Sequence, residues 1–329
     1  NLDVTVNPTS EITSASTANW CNDTENTYEI TSNSTTAVFD WERAAVAGIT
    51  NGPSGGTGDE ITETLINDTD EPVVVRYVIT PSVNGCEGTA FNLDVTVFPA
   101  PQVEQPENII VCNGESVPEI EFVSPNGGGV ISFAWEVSPA LINLSETGEG
   151  IIPGFEAVNT GTEPYVATVE VTPRFTLGTL TCEGNSKTFT ITVNPTAQVN
   201  DPADQVVCNG SPTTLITFGT LNTGGTTTYT WTNSASGIGL AASGSGDIAS
   251  FTAVNTGTTP IVASIVVTPH FENGSVTCNG PAQTFTITVN PTAQVNDPAN
   301  LVVCNTDNVS VTFTTGNSGG VTTYSWTNT

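Results

Sequence analysis

Positive charge is almost missing from this sequence, which has 4 Lys+Arg and 1 His against 33 Asp+Glu in 329 residues and a formal net charge of −29 at pH 7. Nucleic-acid binding requires a basic face that displaces counterions from phosphates, and attraction to an anionic membrane surface requires a similar face. Four scattered cations cannot form one. The composition therefore excludes a nucleic-acid partner and disfavours a membrane surface.

Long apolar runs and methionine are missing as well. No stretch approaches the roughly 18 to 20 apolar residues of a membrane-spanning helix, and no basic segment followed by an apolar one opens the chain. We therefore expect no membrane insertion. Because the sequence has no Met and begins Asn1-Leu2, we expect a processed chain or part of a longer one.

The sequence contains an internal repeat of about 96 residues. Residues 99–194 align with residues 195–290 without a gap, and the matching blocks include Cys-Asn-Gly, Ala-Val-Asn-Thr-Gly-Thr and Thr-Phe-Thr-Ile-Thr-Val-Asn. A shorter and more diverged copy precedes them. We predict the last strand of a preceding repeat at 1–7, whole repeats at 8–98 (copy 1), 99–194 (copy 2) and 195–290 (copy 3), and the first strands of a further repeat at 291–329 (copy 4).

The pattern within each copy predicts β-strands only. Apolar and polar residues alternate with period two over Thr227–Thr232, Ile261–Val267 and Thr284–Val289, and turn-forming residues separate such stretches. About seven short strands in about 96 residues, with a Trp in the third, are typical of an immunoglobulin-like β-sandwich. The predicted fold class is all-β, with tandem sandwiches in an extended array.

The 7 cysteines follow the repeat. Each whole copy has one early and one late cysteine, and Cys304 is the early cysteine of copy 4. The early cysteine ends the first strand and the late one lies in the last hairpin loop, so we expect a bridge at one pole of each sandwich, with Cys304 unpaired. The expected bridges are Cys21–Cys86, Cys112–Cys182 and Cys208–Cys278.

Disulfides persist in oxidising compartments, so these cysteines predict an extracellular protein. The alternative is a zinc site. Single cysteines without C-x-x-C pairs and only 1 His in the chain disfavour it.

One Trp per copy occupies the strand position where a sandwich core takes its largest residue. These residues are therefore predicted to be core aromatics, the alternative being platforms on which sugar rings stack. They are Trp41, Trp135, Trp231 and Trp326.

Acidic side chains provide weak candidates for calcium ligands. Asp201, Asp204 and Asp297 lie at the junctions between copies, and Asp247 lies in the turn before the fifth strand. Calcium prefers such oxygen ligands, but neither place has the dense D-x-D-x-D spacing of a dedicated loop. Solvated acidic turns are the alternative interpretation, and no other cofactor is expected.

No residue set for catalysis is apparent. The only imidazole is His270, and its counterpart in copy 2 is Arg174. Acid–base or nucleophilic catalysis needs several residues that converge on one pocket. A position that changes from Arg to His between copies is more typical of a solvated strand end, so we predict no enzyme activity.

The Cys-Asn-Gly opening, the Tyr-x-Trp strand, the Val-x-Thr-Pro strand end and the Thr-Phe-Thr-Ile-Thr-Val-Asn-Pro connection resemble the PKD-like repeats of giant cell-surface adhesins of Bacteroidota. That group includes the gliding-motility adhesins exported by the type IX secretion system. The resemblance covers the whole chain and implies tandem sandwiches without a catalytic centre or cofactor. The aspartate-rich turn of better known PKD repeats is absent, since Trp231 is followed by Thr232-Asn233-Ser234.

The sequence thus predicts a structural stalk or spacer of a large secreted adhesin or filament, which bears load and projects a distal binding region from a bacterial cell surface. The expected partners are other repeats of the same long chain, the secretion or surface-anchoring machinery, and a surface glycan or substratum. The alternative function is that of accessory or glycan-binding modules of a secreted polysaccharide-degrading enzyme.

Overall fold

The computed structural model describes residue 3, residues 9–141 and residues 143–329. These residues form β-strands, turns and a single 3-10 turn at Ser236–Ile238. Within them, no helix has the length and apolarity needed to cross a membrane. The predicted all-β class and tandem immunoglobulin-like sandwiches are confirmed.

Each copy contributes its own strands. Copy 1 holds β1 Thr17–Trp20, β2 Glu25–Glu29, β3 Val38–Arg43, β4 Ser54–Thr57, β5 Glu60–Thr64, β6 Val73–Val83, β7 Cys86–Glu87 and β8 Phe91–Val97. Copy 2 holds β9 Ile109–Cys112, β10 Ser116–Val117, β11 Val130–Ser138, β12 Thr147–Glu149, β13 Phe155–Glu156, β14 Tyr165–Leu177, β15 Leu180–Glu183 and β16 Lys187–Asn194. Copy 3 holds β17 Gln205–Cys208, β18 Thr226–Asn233, β19 Ser243–Ser245, β20 Ile261–Asn273, β21 Val276–Asn279 and β22 Gln283–Asn290.

The large sheet has the same strand order in copies 1, 2 and 3. In copy 1 the order is β1-β8-β6-β3-β4, with β7 paired to β6, and copy 3 repeats it as β17-β22-β20-β18-β19, with β21 paired to β20. A second, smaller layer is formed by β2-β5 in copy 1 and β10-β13 in copy 2, and by isolated bridges such as Ile216–Ile248 in copy 3. In copies 1 and 3 the first strand pairs parallel to the last strand, and the other pairs are antiparallel.

The alternation seen in the sequence produces the core. In β20 every second residue from Ala263 to Phe271 is buried. Ala263, Ile265 and Val267 belong to one core cluster with Phe285, Ile287 and Val289 of β22 and with residues of the smaller layer such as Ile248. Successive side chains of a strand point to opposite faces, so one face of the sheet fills the core and the other carries Thr and Ser. Copy 1 has an equivalent core around Tyr77 and Val95.

Two of the four predicted core tryptophans are buried. Trp135 and Trp231 are 5% and 7% exposed. Trp41 is half-buried and packs against the core of copy 1, where its ring lies 5.9 Å from that of Tyr77. The prediction for Trp326 is wrong, because its side chain is 72% exposed. Residues 291–329 contain no strand, so no sheet covers it.

Copy 1 has a buried ion pair in its core. Nε and Nη2 of Arg43 donate to the Glu63 carboxylate at 2.7 and 3.1 Å, and Nη1 donates to the carbonyl of Gly52 at 2.7 Å. The Tyr77 hydroxyl donates to the same carboxylate. Burial by itself raises the pKa of Glu63, but the hydrogen bonds from Arg43 and Tyr77 outweigh it and hold that pKa below its usual value.

Backbone contacts divide the chain into two compact units, and both include part of copy 2. Unit 1 comprises Asn1–Ile109, Ser116–Glu156 and Val166–Ile191, and unit 2 comprises Ile110–Glu115, Ala157–Tyr165 and Thr192–Thr329. The strand predicted at 1–7 lies outside the described residues except for Asp3.

Candidate functional site

Two disulfides join successive copies. Cys21 of copy 1 is bonded to Cys182 of copy 2, and Cys112 of copy 2 is bonded to Cys278 of copy 3. The Cα atoms are 5.7 and 5.5 Å apart, within the usual range for a bridge. In both cases the early cysteine of one copy pairs with the late cysteine of the next.

The predicted pairing within each copy, Cys21–Cys86, Cys112–Cys182 and Cys208–Cys278, is therefore wrong. The register of copy 3 shows why. Cys208 lies opposite Asn290, at the end of β22, and Cys278 lies opposite Phe271, near the far end of β20. Along the sheet, Cys208 and Cys278 are therefore separated by about ten residues of β20, or about 33 Å. A disulfide needs Cα atoms within about 7 Å of each other.

The observed pairing follows from which end, or pole, of its sandwich each cysteine occupies. Because β1 runs parallel to β8, the early cysteine of copy 1 lies at the pole where the chain leaves for copy 2. The late cysteine follows a strand antiparallel to the last one, as in copy 3, so it lies at the pole where the chain enters its copy. The early cysteine of one copy and the late cysteine of the next thus meet at their junction.

The bridge between copies 1 and 2 is enclosed by apolar side chains. Phe98, which follows β8, and Phe175 of β14 are both fully buried, with ring centroids 5.2 Å apart. Cys182 is buried beside them, and Cys21 and Leu180 are among the half-buried side chains that complete the cluster. The junction therefore has a small hydrophobic core of its own.

A buried asparagine holds together the exit pole of each of copies 1, 2 and 3. In copy 3, Nδ2 of Asn255 donates to the carbonyls of Val289 and Thr259 at 2.7 and 2.9 Å, and its backbone N–H donates to Oδ1 of Asn209 at 2.8 Å. Asn159 and Asn67 make the equivalent bonds in copies 2 and 1, to Asn113 and Asn22 respectively. These bonds explain why the Cys-Asn and Val-Asn-Thr-Gly motifs recur together.

In copies 2, 3 and 4, a second asparagine binds the segment through which the chain enters that copy. Oδ1 of Asn222 accepts from the backbone N–H of Gln198 at 2.7 Å, and Nδ2 donates to the carbonyl of Thr196 at 3.1 Å. The equivalent residues are Asn126 in copy 2 and Asn317 in copy 4. The same loop contacts the preceding copy, since the N–H of Thr223 donates to the carbonyl of Thr162 at 3.0 Å.

A glycine permits this close contact between loops. Gly128 has φ of +73°, and a Cβ there would lie 2.4 Å from the Glu71 carboxylate and 2.6 Å from Pro72. Gly224 has φ of +75°, and a Cβ there would lie 2.7 Å from Pro164. Glycine is required here both by the positive φ and by the space.

We expect Asn255→Ala to lower the free energy of unfolding of copy 3 by about 2 kcal/mol, because the buried carbonyl of Val289 and that of Thr259 would lose their donor. Hydrogen exchange in β22 of the full chain measures the change. Thr256→Ala, at the exposed neighbouring residue, is the matched control. Equal protection in both variants would show that the asparagine contributes no stability.

The acidic calcium candidates have other roles or stand in solvent. Oδ1 of Asp204 accepts from the N–H of Thr286 at 2.6 Å, and Oδ1 of Asp247 accepts from the N–H of Phe218 at 2.9 Å. Asp201 and Asp297 are exposed. In the described part of the chain, no three His, Cys, Asp or Glu side chains are placed to hold a metal ion.

The single histidine takes part in cross-strand hydrogen bonds on the open face of the sheet. The ring nitrogens of His270 lie 2.8 Å from Oγ1 of Thr230 and 2.6 Å from Oδ1 of Asn279, and both contacts are exposed. In copy 2 its counterpart Arg174 reaches the neighbouring strands in the same way, through ion pairs with Glu149 and Glu183. Polar pairs of this kind contribute to sheet stability, so the position has a structural role in both copies.

The comparison with known families agrees with this geometry. Residues 18–101, which hold nearly all of the strand residues of copy 1, match the family model of the PKD-like domain. Residues 18–101 are thus similar to a PKD-like domain, and copies 2 and 3 repeat the same immunoglobulin-like sheet order. Such repeat domains are typically non-catalytic.

Three solved structures are similar to this chain at low sequence identity. The I9-I11 tandem from titin is 14% identical, with a TM-score of 0.30, over 86% of this chain and 100% of that one. Mouse protocadherin-24 EC1-3 is 12% identical, with a TM-score of 0.34, over 89% and 100%. The three N-terminal domains of the bacteriophage RB49 Hoc protein are 13% identical, with a TM-score of 0.37, over 83% and 96%. No curated protein matches the chain.

Proposed function

We propose that this chain is a non-enzymatic, load-bearing spacer of a large secreted adhesin or filament. The observation that carries the proposal is the repeated bridge from one PKD-like repeat to the next, Cys21–Cys182 and then Cys112–Cys278. A force that pulls on the chain then passes from copy to copy through these covalent bonds. The noncovalent contacts of the junction do not have to bear it. A module that only binds a ligand has no use for such a connection.

The compartment follows from the same bonds. Disulfides between domains persist only where thiols are oxidised, so the repeats work outside the cytosol. The resemblance to gliding-motility adhesins supports a bacterial cell surface, with export by a type IX secretion system and anchoring by its associated machinery. The proposal requires no cofactor, and it assigns contact with a glycan or substratum to a distal region.

The aromatic side chains favour a spacer over a glycan-binding module. Trp135 and Trp231 are buried in their sandwiches, and their rings pack against Gly148 and Gly244 of the neighbouring strands. Stacking of a sugar needs an accessible aromatic face, which these rings do not offer.

The test places residues 1–329 between a bacterial surface anchor and a module of known ligand, and measures how far a ligand-coated bead moves from the cell under flow. With the bridges intact, the excursion should stay fixed. With Cys21→Ser and Cys112→Ser together, it should grow in steps while binding without flow is unchanged. Equal excursions would show that the bridges bear no load, and weaker binding without flow would show that the repeats themselves contact the ligand.

A further inference from the structure

The free, exposed thiol of Cys208 lies at the exit pole of copy 3, the position that Cys21 and Cys112 occupy in copies 1 and 2. A groove of about 360 Å³ opens beside it. Its walls come from copy 3, including Pro260 and Asn290, and from residues 317, 318 and 320–323 of copy 4. Both bridged junctions are filled at the corresponding place by a hairpin that carries the late cysteine.

The wall that copy 4 contributes to the groove corresponds in sequence to the start of β18, which is paired in copy 3. Thr226 and Thr227, at the start of β18, pair with Glu272 and Phe271 of β20. The corresponding residues 321 and 322 belong to no strand in the described chain, so their backbone groups are open to pairing.

A glycine marks where an aromatic ring would lie. In copies 2 and 3, a Cβ on Gly129 or Gly225 would stand 2.3 or 2.4 Å from the ring of Phe175 or Phe271. Each of these phenylalanines precedes the late cysteine of its copy by seven residues. At the equivalent glycine of copy 4, Gly320, a Cβ would have nothing within 4 Å, so the space above it is open.

We propose that this groove receives the strand and hairpin that complete the repeat begun at residues 291–329, and that the late cysteine of that hairpin forms a disulfide with Cys208. The ring seven residues before that cysteine would fill the space above Gly320. Two thiols are oxidised and one S–S bond forms, with the two electrons passing to the disulfide-forming oxidant of the extracellular compartment. This inference does not depend on the load-bearing role.

The main test extends the chain with a graft of residues 235–290 placed directly after Thr329, which completes copy 4. The graft carries Thr277→Ser as a mass tag beside its cysteine. Under native conditions, maleimide labelling of Cys208 should fall by about tenfold or more relative to the 329-residue chain, and mapping should find Cys208 bonded to the tagged cysteine. The same extension with the grafted cysteine changed to Ser should restore labelling.

A second test does not require the graft to fold. A synthetic peptide covering residues 261–290 is offered to the 329-residue chain in a glutathione buffer, and mixed disulfides are mapped. Cys208 and Cys304 are both exposed thiols, so Cys304 is an internal control. Capture at Cys208 should exceed capture at Cys304 by about tenfold, because the groove positions the hairpin. Equal capture, or a bond between Cys304 and the grafted cysteine in the first test, would overturn the proposal.

Discussion

Stretched between its two ends, the oxidised chain should reach a contour of roughly 480 Å, and the reduced chain roughly 1,100 Å, at about 3.4 Å per residue. The shortest covalent path through the oxidised chain runs to Cys21, crosses to Cys182, returns to Cys112 and crosses to Cys278. It bypasses more than half of the residues. Single-molecule stretching with and without reductant measures both lengths.

The two bridges overlap along the chain, so their removal should be strongly non-additive. Cys21→Ser alone leaves the Cys112–Cys278 bridge and should lengthen the path by only about 70 Å, and Cys112→Ser alone by about 90 Å. Both substitutions together should add roughly 640 Å. Bridges within copies would instead release more than about 200 Å for each single substitution, and that outcome would contradict the pairing described above.

Replacing Glu63 by Gln should destabilise copy 1 by about 3–5 kcal/mol, because it leaves the Arg43 guanidinium, whose side chain is 2% exposed, without its countercharge. Hydrogen-exchange protection of β6 and β8 in the full chain reports on this copy alone. Asp94→Asn is the control. Its partner Arg76 is exposed and screened by solvent, so protection should change little.

The same pair makes copy 1 sensitive to acid. The pKa of Glu63 is held below its usual value, so the carboxylate contributes stability that is present above its unfolded pKa and is lost as the pH falls through the folded one. Exchange protection of copy 1 should therefore decline below about pH 4, and Glu63→Gln should remove this part of the decline. An unchanged pH profile in the variant would show that Glu63 does not couple protonation to stability.

The strands and the repeat could be predicted because they depend on local pattern. Alternation over Ile261–Val267 marks a strand with one buried face whatever lies beside it, and β20 begins at Ile261. The predicted burial of the core tryptophan is correct for Trp135 and Trp231, which are buried in copies 2 and 3. Trp326 shares their position but lacks the covering strands, and burial depends on those neighbours as well as on the residue itself.

The disulfide pairing could not be predicted in this way, because it depends on strand direction. Alternation identifies β17 and β22 as strands but does not reveal that they run parallel, which places Cys208 at the far pole from Cys278. The asparagine contacts were hidden for a similar reason. The motif that contains Asn255 is visible in the sequence, but its acceptor, the carbonyl of Val289, lies 34 residues away.

The overlapping bridges also determine what a protease can do to this chain. The intervals 21–182 and 112–278 interleave, so every peptide bond between Cys21 and Cys278 lies inside at least one closed covalent ring. A single cut at an exposed loop anywhere in that span leaves the amino-terminal and carboxy-terminal pieces in one molecule. An exposed extracellular chain with this connectivity survives nicking without losing whatever its far end carries.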